Sequence, residues 1–581
     1  MPATSSQKTA PRYTVVPKEK AGGATYTPNI LADFVAHNIV KMIYEIPVDL
    51  PLRVMDPAIG EGELLISLLR QLANYKDLEI KVYGFETDQN ALNIATDRLM
   101  KCFPTVEVNF KSESFLEFVL KHYSMDGNLS LFSPSPPPAY DLIIANPPYV
   151  RTQIMGATKA KILTKQFGLA GRIDLYYAFI LAISQVLRPN GIAGIIVSNR
   201  FMTTKSGASV RKALFQRFNI RHAWDLGDTK LFNAAVLPAV MLVEAKNGNK
   251  IKTPKFTSIY QTSEPASDSA TNPITALEKE GVIETEDGRH FNVIHGKLDT
   301  GDSSDGVWRI ATKSVDAWLA KVEAHKWGTF RDIGKIRVGV KTCADKVFIR
   351  NDWMDMPEDA RPELLKPLTT HHIARRFKPL ISDQPIQILY PHEIVHGRRC
   401  AVDLSQYPNS QAYLELHRSV LEDRKYVIDS GRKWYEIWVP QDPDAWDMPK
   451  LVFRDIAEEP TFWIDLDGSV VNGDCYWLVC QNQEQADLLW IAAAVGNSTF
   501  IEHFYDHCFH NKLYAGRRRF ITQYVEKFPL PDPNTHCGKA IVAKAKRVYE
   551  CKTSSEADRL KNDLNSMIWE AFGLVDKKVS R

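Results

Sequence analysis

Val54-Met55-Asp56-Pro57-Ala58-Ile59-Gly60-Glu61-Gly62-Glu63-Leu64-Leu65 reads as a strand end running into a glycine loop that opens a helix. Gly60 and Gly62 let the backbone come close to a ligand. A dinucleotide fingerprint would want a third glycine three residues after Gly62, and that position is Leu65. Asp56 and Glu61 would also repel a pyrophosphate, so a cationic ligand with an amino-acid head fits better. Next, Val82-Tyr83-Gly84-Phe85-Glu86 reads as a second strand ending in a carboxylate, where nucleoside-binding α/β folds hold both ribose hydroxyls. Strand, glycine loop, helix, strand and acid make a βαβ unit.

The alternation continues outward. Strand candidates fall at Leu52 to Met55, Val82 to Phe85, Val106 to Phe110, Leu142 to Ala145, Ile192 to Val197 and Ala239 to Glu244, with helical runs between them. Buried apolar strands alternating with helices predict a mostly parallel, doubly wound α/β sheet over residues 21–250.

Asp141-Leu142-Ile143-Ile144-Ala145-Asn146-Pro147-Pro148-Tyr149 carries the chemistry. An apolar strand delivers its end into a turn stiffened by two prolines, which fix φ and lack backbone donors. The Asn146 amide and the Pro147 carbonyl offer two acceptors beside the flat ring of Tyr149. That combination suits a planar amine, such as the exocyclic amino group of a nucleobase. If both acceptors take an N–H, the nitrogen is drawn toward tetrahedral geometry and its lone pair can face an electrophile.

The order of these motifs resembles the gamma-class N6-adenine DNA methyltransferases of restriction-modification systems, the TaqI type. Ala24-Thr25-Tyr26-Thr27-Pro28, before a helix over Ile30 to Met42, looks like the family's N-terminal cofactor motif, with Thr27 at the cofactor. Asp56 to Gly62 looks like its S-adenosylmethionine loop, Glu86 like its ribose acid, and Asn146 to Tyr149 like its catalytic motif, with Asn146 also near the cofactor. Asp174-Leu175-Tyr176-Tyr177-Ala178-Phe179 and Leu187-Arg188-Pro189-Asn190-Gly191 look like the helix and turn that follow. Leu226-Gly227-Asp228 and Leu231-Phe232-Asn233-Ala234-Ala235-Val236 look like the late motif, whose aromatic, here Phe232, packs on an extruded base. One position departs: Ser114 stands where the family has an acid that contacts the cofactor adenine, with Glu113 beside it.

The resemblance implies a Rossmann-like class I methyltransferase domain with S-adenosylmethionine as cosubstrate and no metal. It implies double-stranded DNA as partner, a monomer, and a cognate restriction endonuclease acting separately. Methylation of cytosine N4 is the alternative, with a protein glutamine or RNA methyltransferase further behind. Asn rather than Ser before Pro-Pro-Tyr leans toward adenine by resemblance. A non-catalytic DNA-binding relic conflicts with the intact Asp56, Gly60, Gly62, Glu86 and Asn146.

The chain has 581 residues, so the length prior is two to four domains. Hydrophobic content of 44% and charged content of 24% are ordinary for a globular protein. No apolar run approaches the ~20 residues of a membrane span. Residues 1–20 read as a polar, flexible tail without a signal-peptide core. The eight cysteines form no Cys-x-x-Cys, which fits reduced thiols in a cytoplasm, and the family resemblance implies a bacterial or archaeal one. A net charge of +3 requires nucleic-acid binding to come from local patches, not a bulk basic field.

Ser263 to Ser269 and Gly301 to Gly306 are linker-like, with short strands suggested between them at Val282-Ile283 and Phe291 to Ile294, so residues 251–310 are expected to form a linker or insert. Residues 311–581 have short aromatic and β-branched runs, and resemble the family's α+β target-recognition domain. Segments Ile336 to Ile349, Lys433 to Glu436 with Pro449 to Leu451, and Gly516 to Phe520 leading to Pro531 carry that likeness. Arg375, Arg376 and Lys378, and Arg517, Arg518 and Arg519 beside Tyr514 and Phe520, are candidate phosphate contacts. His503, His507, Cys508 and His510 have a metal-like spacing, but the interleaved Phe504, Tyr505 and Phe509 favour core packing.

Overall fold

The computed structural model describes residues 26–43, 51–75, 78–123, 139–149, 157–169, 174–232, 237–246, 253–301, 306–480, 482, 485–509, 513 and 517–575. The expected tail, the motif residues Ala24 and Thr25, and Asn233 to Val236 lie outside them. The chain divides into two compact units, 1–312 and 313–581.

Unit 1 is built on one sheet. Its strands are β1 (Leu52–Asp56), β2 (Ile80–Phe85), β3 (Glu107–Lys111), β4 (Tyr140–Ala145), β5 (Leu187–Ser198), β6 (Phe218–Asp225), β7 (Pro238–Ala245), β8 (Lys255–Gln261), β9 (Asp268–Ala270), β10 (Gly281–Thr285), β11 (His290–Asp299) and β12 (Arg309–Ala311). The order is β3-β2-β1-β4-β5-β7-β6-β8-β11-β10-β9, with β12 paired to β11. Strands β3 to β5 are parallel and β7 runs antiparallel to both neighbours.

Helices α1 (Asn29–Val40), α2 (Glu63–Leu72), α3 (Gln89–Cys102), α4 (Phe115–His122), α5 (Ala157–Gln166), α6 (Leu175–Val186) and α7 (Ala208–Arg217) accompany the strands. Alternate residues of each strand enter opposite layers. Met55 and Ile143 join Phe85 and Tyr176 on one face; Val54, Leu142 and Ile144 join Val35, Ile39 and Leu65 on the other. Gly194 allows α1 to lie against β5, because a Cβ there would stand 2.6 Å from Val35 and 2.8 Å from Ile39. Seating α1 in this way fixes the approach of Thr27.

The chain order along the sheet reverses between β1 and β4, the place where open α/β sheets bind ligands. Register aligns the site: Met55 pairs with Ile143 and Asp56 with Gly84. Asp56, Glu86 and Asn146 therefore emerge along one edge.

Two differences from the sequence reading stand out. β6 has no counterpart among the expected strands, because Asn219, Arg221 and His222 hide its period. Arg221 pairs across to Glu244 on β7, and His222 stacks on Trp224 at 3.7 Å. Residues 251–310 are also not a linker. Strands β8 to β12 extend the sheet from β6, and the unit closes at Thr312. The short strands expected at Val282-Ile283 and Phe291 to Ile294 fall within β10 and β11, while the buried Phe256 and Ile259 of β8 were masked by polar neighbours.

Unit 2 is α+β. A four-stranded sheet, in the order Arg337–Val338, Cys475–Val479, Lys450–Arg454, Phe462–Asp465, buries Trp463 and Trp477. Helices Asp487–Gly496, Thr499–Phe509, His536–Glu550 and Ser554–Ala571 contribute to a second core. Among the described residues no helix is long and apolar enough to cross a membrane.

Candidate active site

The loop after β1 is shaped by its glycines. Gly60 and Gly62 have φ of 55° and 84°. A Cβ on Gly60 would meet nothing within 4 Å, so this backbone faces open space. A Cβ on Gly62 would stand 3.0 Å from Leu99 and 3.2 Å from Ala95, so here glycine serves the packing of α2 on α3. Arg98 closes the loop's outer side by donating to the Glu61 carbonyl at 2.7 Å and pairing with Glu63.

Asp56 is fully buried at the end of β1. Its Oδ1 accepts from the Ala58 N–H at 2.9 Å, while its Oδ2 has no hydrogen-bond partner. Burial, with a smaller contribution from the Glu86 charge, pushes its carboxyl up to about 8. Glu86 Oε1 accepts from the N–H groups of Thr87 (2.7 Å) and Asp88 (2.9 Å). Its Oε2 accepts from the Gly60 N–H at 3.0 Å. Two carboxylates and an open glycine backbone suit a cationic amino acid joined to a ribose. The donor set therefore fits S-adenosylmethionine.

At the end of β4, Asn146 is gripped from two sides. Its Nδ2 donates to Thr27 Oγ1 at 2.9 Å, and its Oδ1 accepts from the Tyr149 hydroxyl at 3.0 Å. Pro147 is buried beside it. The Tyr149 ring meets Tyr176 edge-on, with centroids 6.1 Å apart. Burial raises the Tyr149 phenol, so it stays a donor at neutral pH. The cofactor motif residue Thr27 thus orients the amide that the catalytic motif supplies.

Phe232 departs from its expected place. It is 6% exposed and packs in the layer with Val35 and Ile39, while Tyr149 packs against the opposite layer. The Phe232 ring is therefore covered in the ligand-free chain. Ser114 caps α4, accepting from the Glu117 N–H at 3.5 Å, and Glu113 pairs with Lys111 at 3.4 Å.

Beside its own Gly227 and Asp228, the late-motif loop is held by Asn199, Asp225 and Tyr260, which carried no sequence signal. Asp225 accepts from Asn199 Nδ2 at 2.9 Å, the Gly227 N–H at 3.1 Å and the Tyr260 hydroxyl at 2.7 Å. Asp228 accepts from the Gln261 N–H at 2.8 Å. Tyr260 and Gln261 lie on β8, inside the segment read as a linker.

In unit 2 three of the six candidate phosphate-binding cations are already neutralised. Arg518 grips Asp506 through two bonds of 2.8 Å, Arg519 grips Asp455 at 3.0 and 3.1 Å, and Arg376 pairs with Glu459 at 3.1 Å. These carboxylates are distant in sequence, which is why the runs looked like unpaired charge. Arg375, Lys378 and Arg517 are exposed. His503 and His507 pack on Trp569 and Trp318, with centroids 5.3 and 5.1 Å apart. Among the described residues no group of three His, Cys, Asp or Glu side chains could hold a metal.

A sheet in this order, with an acid-lined glycine loop at its switch point, defines a class I S-adenosylmethionine-dependent methyltransferase fold. Residues 81–232 match the family model described as Eco57I restriction-modification methylase, and residues 394–530 match the TaqI-like C-terminal specificity domain. Type II methyltransferase M.BanIII of Aneurinibacillus aneurinilyticus is 35% identical, over 96% of this chain and 98% of that protein. Type II methyltransferase M.BstVI of Geobacillus stearothermophilus is 23% identical over 88% and 90%. Among solved structures, the Type IIL restriction-modification enzyme MmeI in complex with DNA aligns with a TM-score of 0.57. That alignment covers 94% of this chain and 73% of MmeI at 14% identity, a likeness of fold alone. The chain belongs to the type II DNA methyltransferases of restriction-modification systems.

Proposed function

We propose that the enzyme methylates the N6 amino group of an adenine extruded from duplex DNA. It acts as a monomer, and the cognate restriction endonuclease is a separate chain. The observation that carries the reading is the Asn146 amide, fixed by Thr27 and Tyr149 at the end of β4.

S-adenosylmethionine supplies an electrophilic methyl group on a sulfonium. Asp56 receives its ammonium, Glu86 its ribose hydroxyls, and Gly60 leaves room for the methionine part. The base must leave the duplex, because its amino group cannot be reached while stacked. Asn146 Oδ1 then exchanges the Tyr149 hydroxyl for one N–H of the base, and the Pro147 carbonyl takes the other. Both acceptors favour the amine as it becomes tetrahedral, which is stabilisation of the transition state and not of the substrate. Released from Asn146, the Tyr149 ring turns to stack on the base, a contact of ~1–3 kcal/mol. Phe232 joins it only if the late-motif loop opens.

The test is methyl mapping. Purified enzyme and S-adenosylmethionine are incubated with unmethylated genomic DNA, which is then sequenced for N6-methyladenine and N4-methylcytosine. N6-methyladenine in one motif supports the reading. N4-methylcytosine would transfer the same chemistry to cytosine, and no methylated base at all would contradict it.

A further inference from the structure

Strands His392–Val395 and Arg398–Ala401 pair only with each other among the described residues, Val395 opposite Arg398 and Glu393 opposite Cys400. His396 and Gly397 join them with φ of 51° and 72°, the two left-handed positions that a tight two-residue hairpin turn requires. Strand alternation splits this ribbon into two faces.

The inner face is anchored. His392 is buried and its Nε2 accepts from the Ile437 N–H at 3.0 Å. Arg399 donates to the Gln441 carbonyl at 2.8 Å. Just beyond the strands, the Tyr390 hydroxyl donates to the Pro440 carbonyl at 2.6 Å and the Tyr435 hydroxyl to the Val402 carbonyl at 2.7 Å. The outer face is bare. Val395 is 41% exposed, and the exposed Arg398 guanidinium has no hydrogen bond or ion pair among the described residues. This contrasts with Arg376, Arg518 and Arg519, each tied to a carboxylate. From Val395 to Arg399 the tip carries two arginines, a histidine and no acid.

We propose that this ribbon is a base-reading finger, which enters the major groove of the target duplex with Arg398 addressing a base edge. The inference rests on the reading that the enzyme methylates duplex DNA. The major groove admits a two-stranded ribbon, and arginine is matched to the O6 and N7 acceptors of guanine. Val395 beside it supplies apolar contact of the kind a thymine methyl takes. The anchored base pre-positions the finger, so little ordering cost falls on binding.

The test compares methyl maps of the full-length enzyme with those of Arg398→Ala and Arg398→Gln. Arg398 is exposed and unpartnered, so both variants keep the fold, which thermal unfolding checks. The expected result is relaxation of one guanine position by Arg398→Ala, with discrimination there falling roughly 5- to 150-fold. Arg398→Gln shifts that position toward adenine. An unchanged motif with unchanged rate overturns the proposal. So does an unchanged motif with uniformly weaker binding and a salt slope smaller by about one, because that marks a phosphate contact. If the wild-type enzyme leaves no methylated base in duplex DNA, the parent reading fails instead, and the finger with it.

Discussion

Asp56 in unit 1 and Asp465 in unit 2 are both strand carboxylates removed from water, at 0% and 3% exposure. Asp465 is saturated: its Oδ2 accepts from Lys450 Nζ at 3.2 Å and from the Ser469 hydroxyl, and its Oδ1 from the Asp467 N–H at 2.9 Å. Asp56 has one partner, the Ala58 N–H, and an Oδ2 with none. A buried polar group without a partner is costly, and at the switch point of the sheet it is an acceptor open to a ligand's donor. Asp465 serves the architecture of its unit; Asp56 is held ready for a cation that the chain does not provide.

Mutations sharpen this contrast. Lys450→Met strands Asp465 without its cation and should cost about 3–5 kcal/mol of stability, read by denaturant unfolding. Asp56→Asn removes an unsatisfied acid and should leave unfolding unchanged or slightly improved, while weakening S-adenosylmethionine binding at least tenfold by calorimetry. Equal destabilisation by the two would erase the distinction. Asn146→Ala should lower kcat at least about 100-fold, with cofactor affinity held within a few-fold. Near-full turnover would remove Asn146 from the chemistry. Tyr260→Phe should cost about 1–3 kcal/mol, because it strips one donor from the buried Asp225.

Ligand-free stability should carry a signature of Asp56. Its carboxyl is raised from 3.8 to about 8 in the folded chain, so the folded state holds a proton that the unfolded state has lost. Stability from this group is complete below about pH 4 and declines as pH rises toward 8. The Asp56→Asn variant should lack that decline in a series of thermal unfolding curves.

Much of the site was legible because its groups are local in sequence. Asp56, Gly60 and Gly62 lie within one loop, Glu86 ends the next strand, and Asn146 to Tyr149 form one turn. Strand order alone then brings the three to one edge. What stayed hidden depends on distant partners. Asp506, Asp455 and Glu459 neutralise Arg518, Arg519 and Arg376, and no local pattern announces them. Strands β8, β9 and β12 carry polar residues at their ends and show their place only when paired, whereas β10 and β11 were legible as short apolar runs. Phe232 was assigned by resemblance to a stacking role, yet it is buried in a core layer shared with residues far from it in sequence, which the motif does not encode.

The most direct measurement is the number of protons released when S-adenosylmethionine binds, from titration calorimetry at pH 7 in buffers of different ionisation enthalpy. The wild-type enzyme should release close to one proton more than Asp56→Asn, because the ligand's ammonium ionises a carboxyl that burial had kept protonated. Identical proton counts in the two proteins would contradict it, and would leave Asp56 a buried acid with no ligand to answer it.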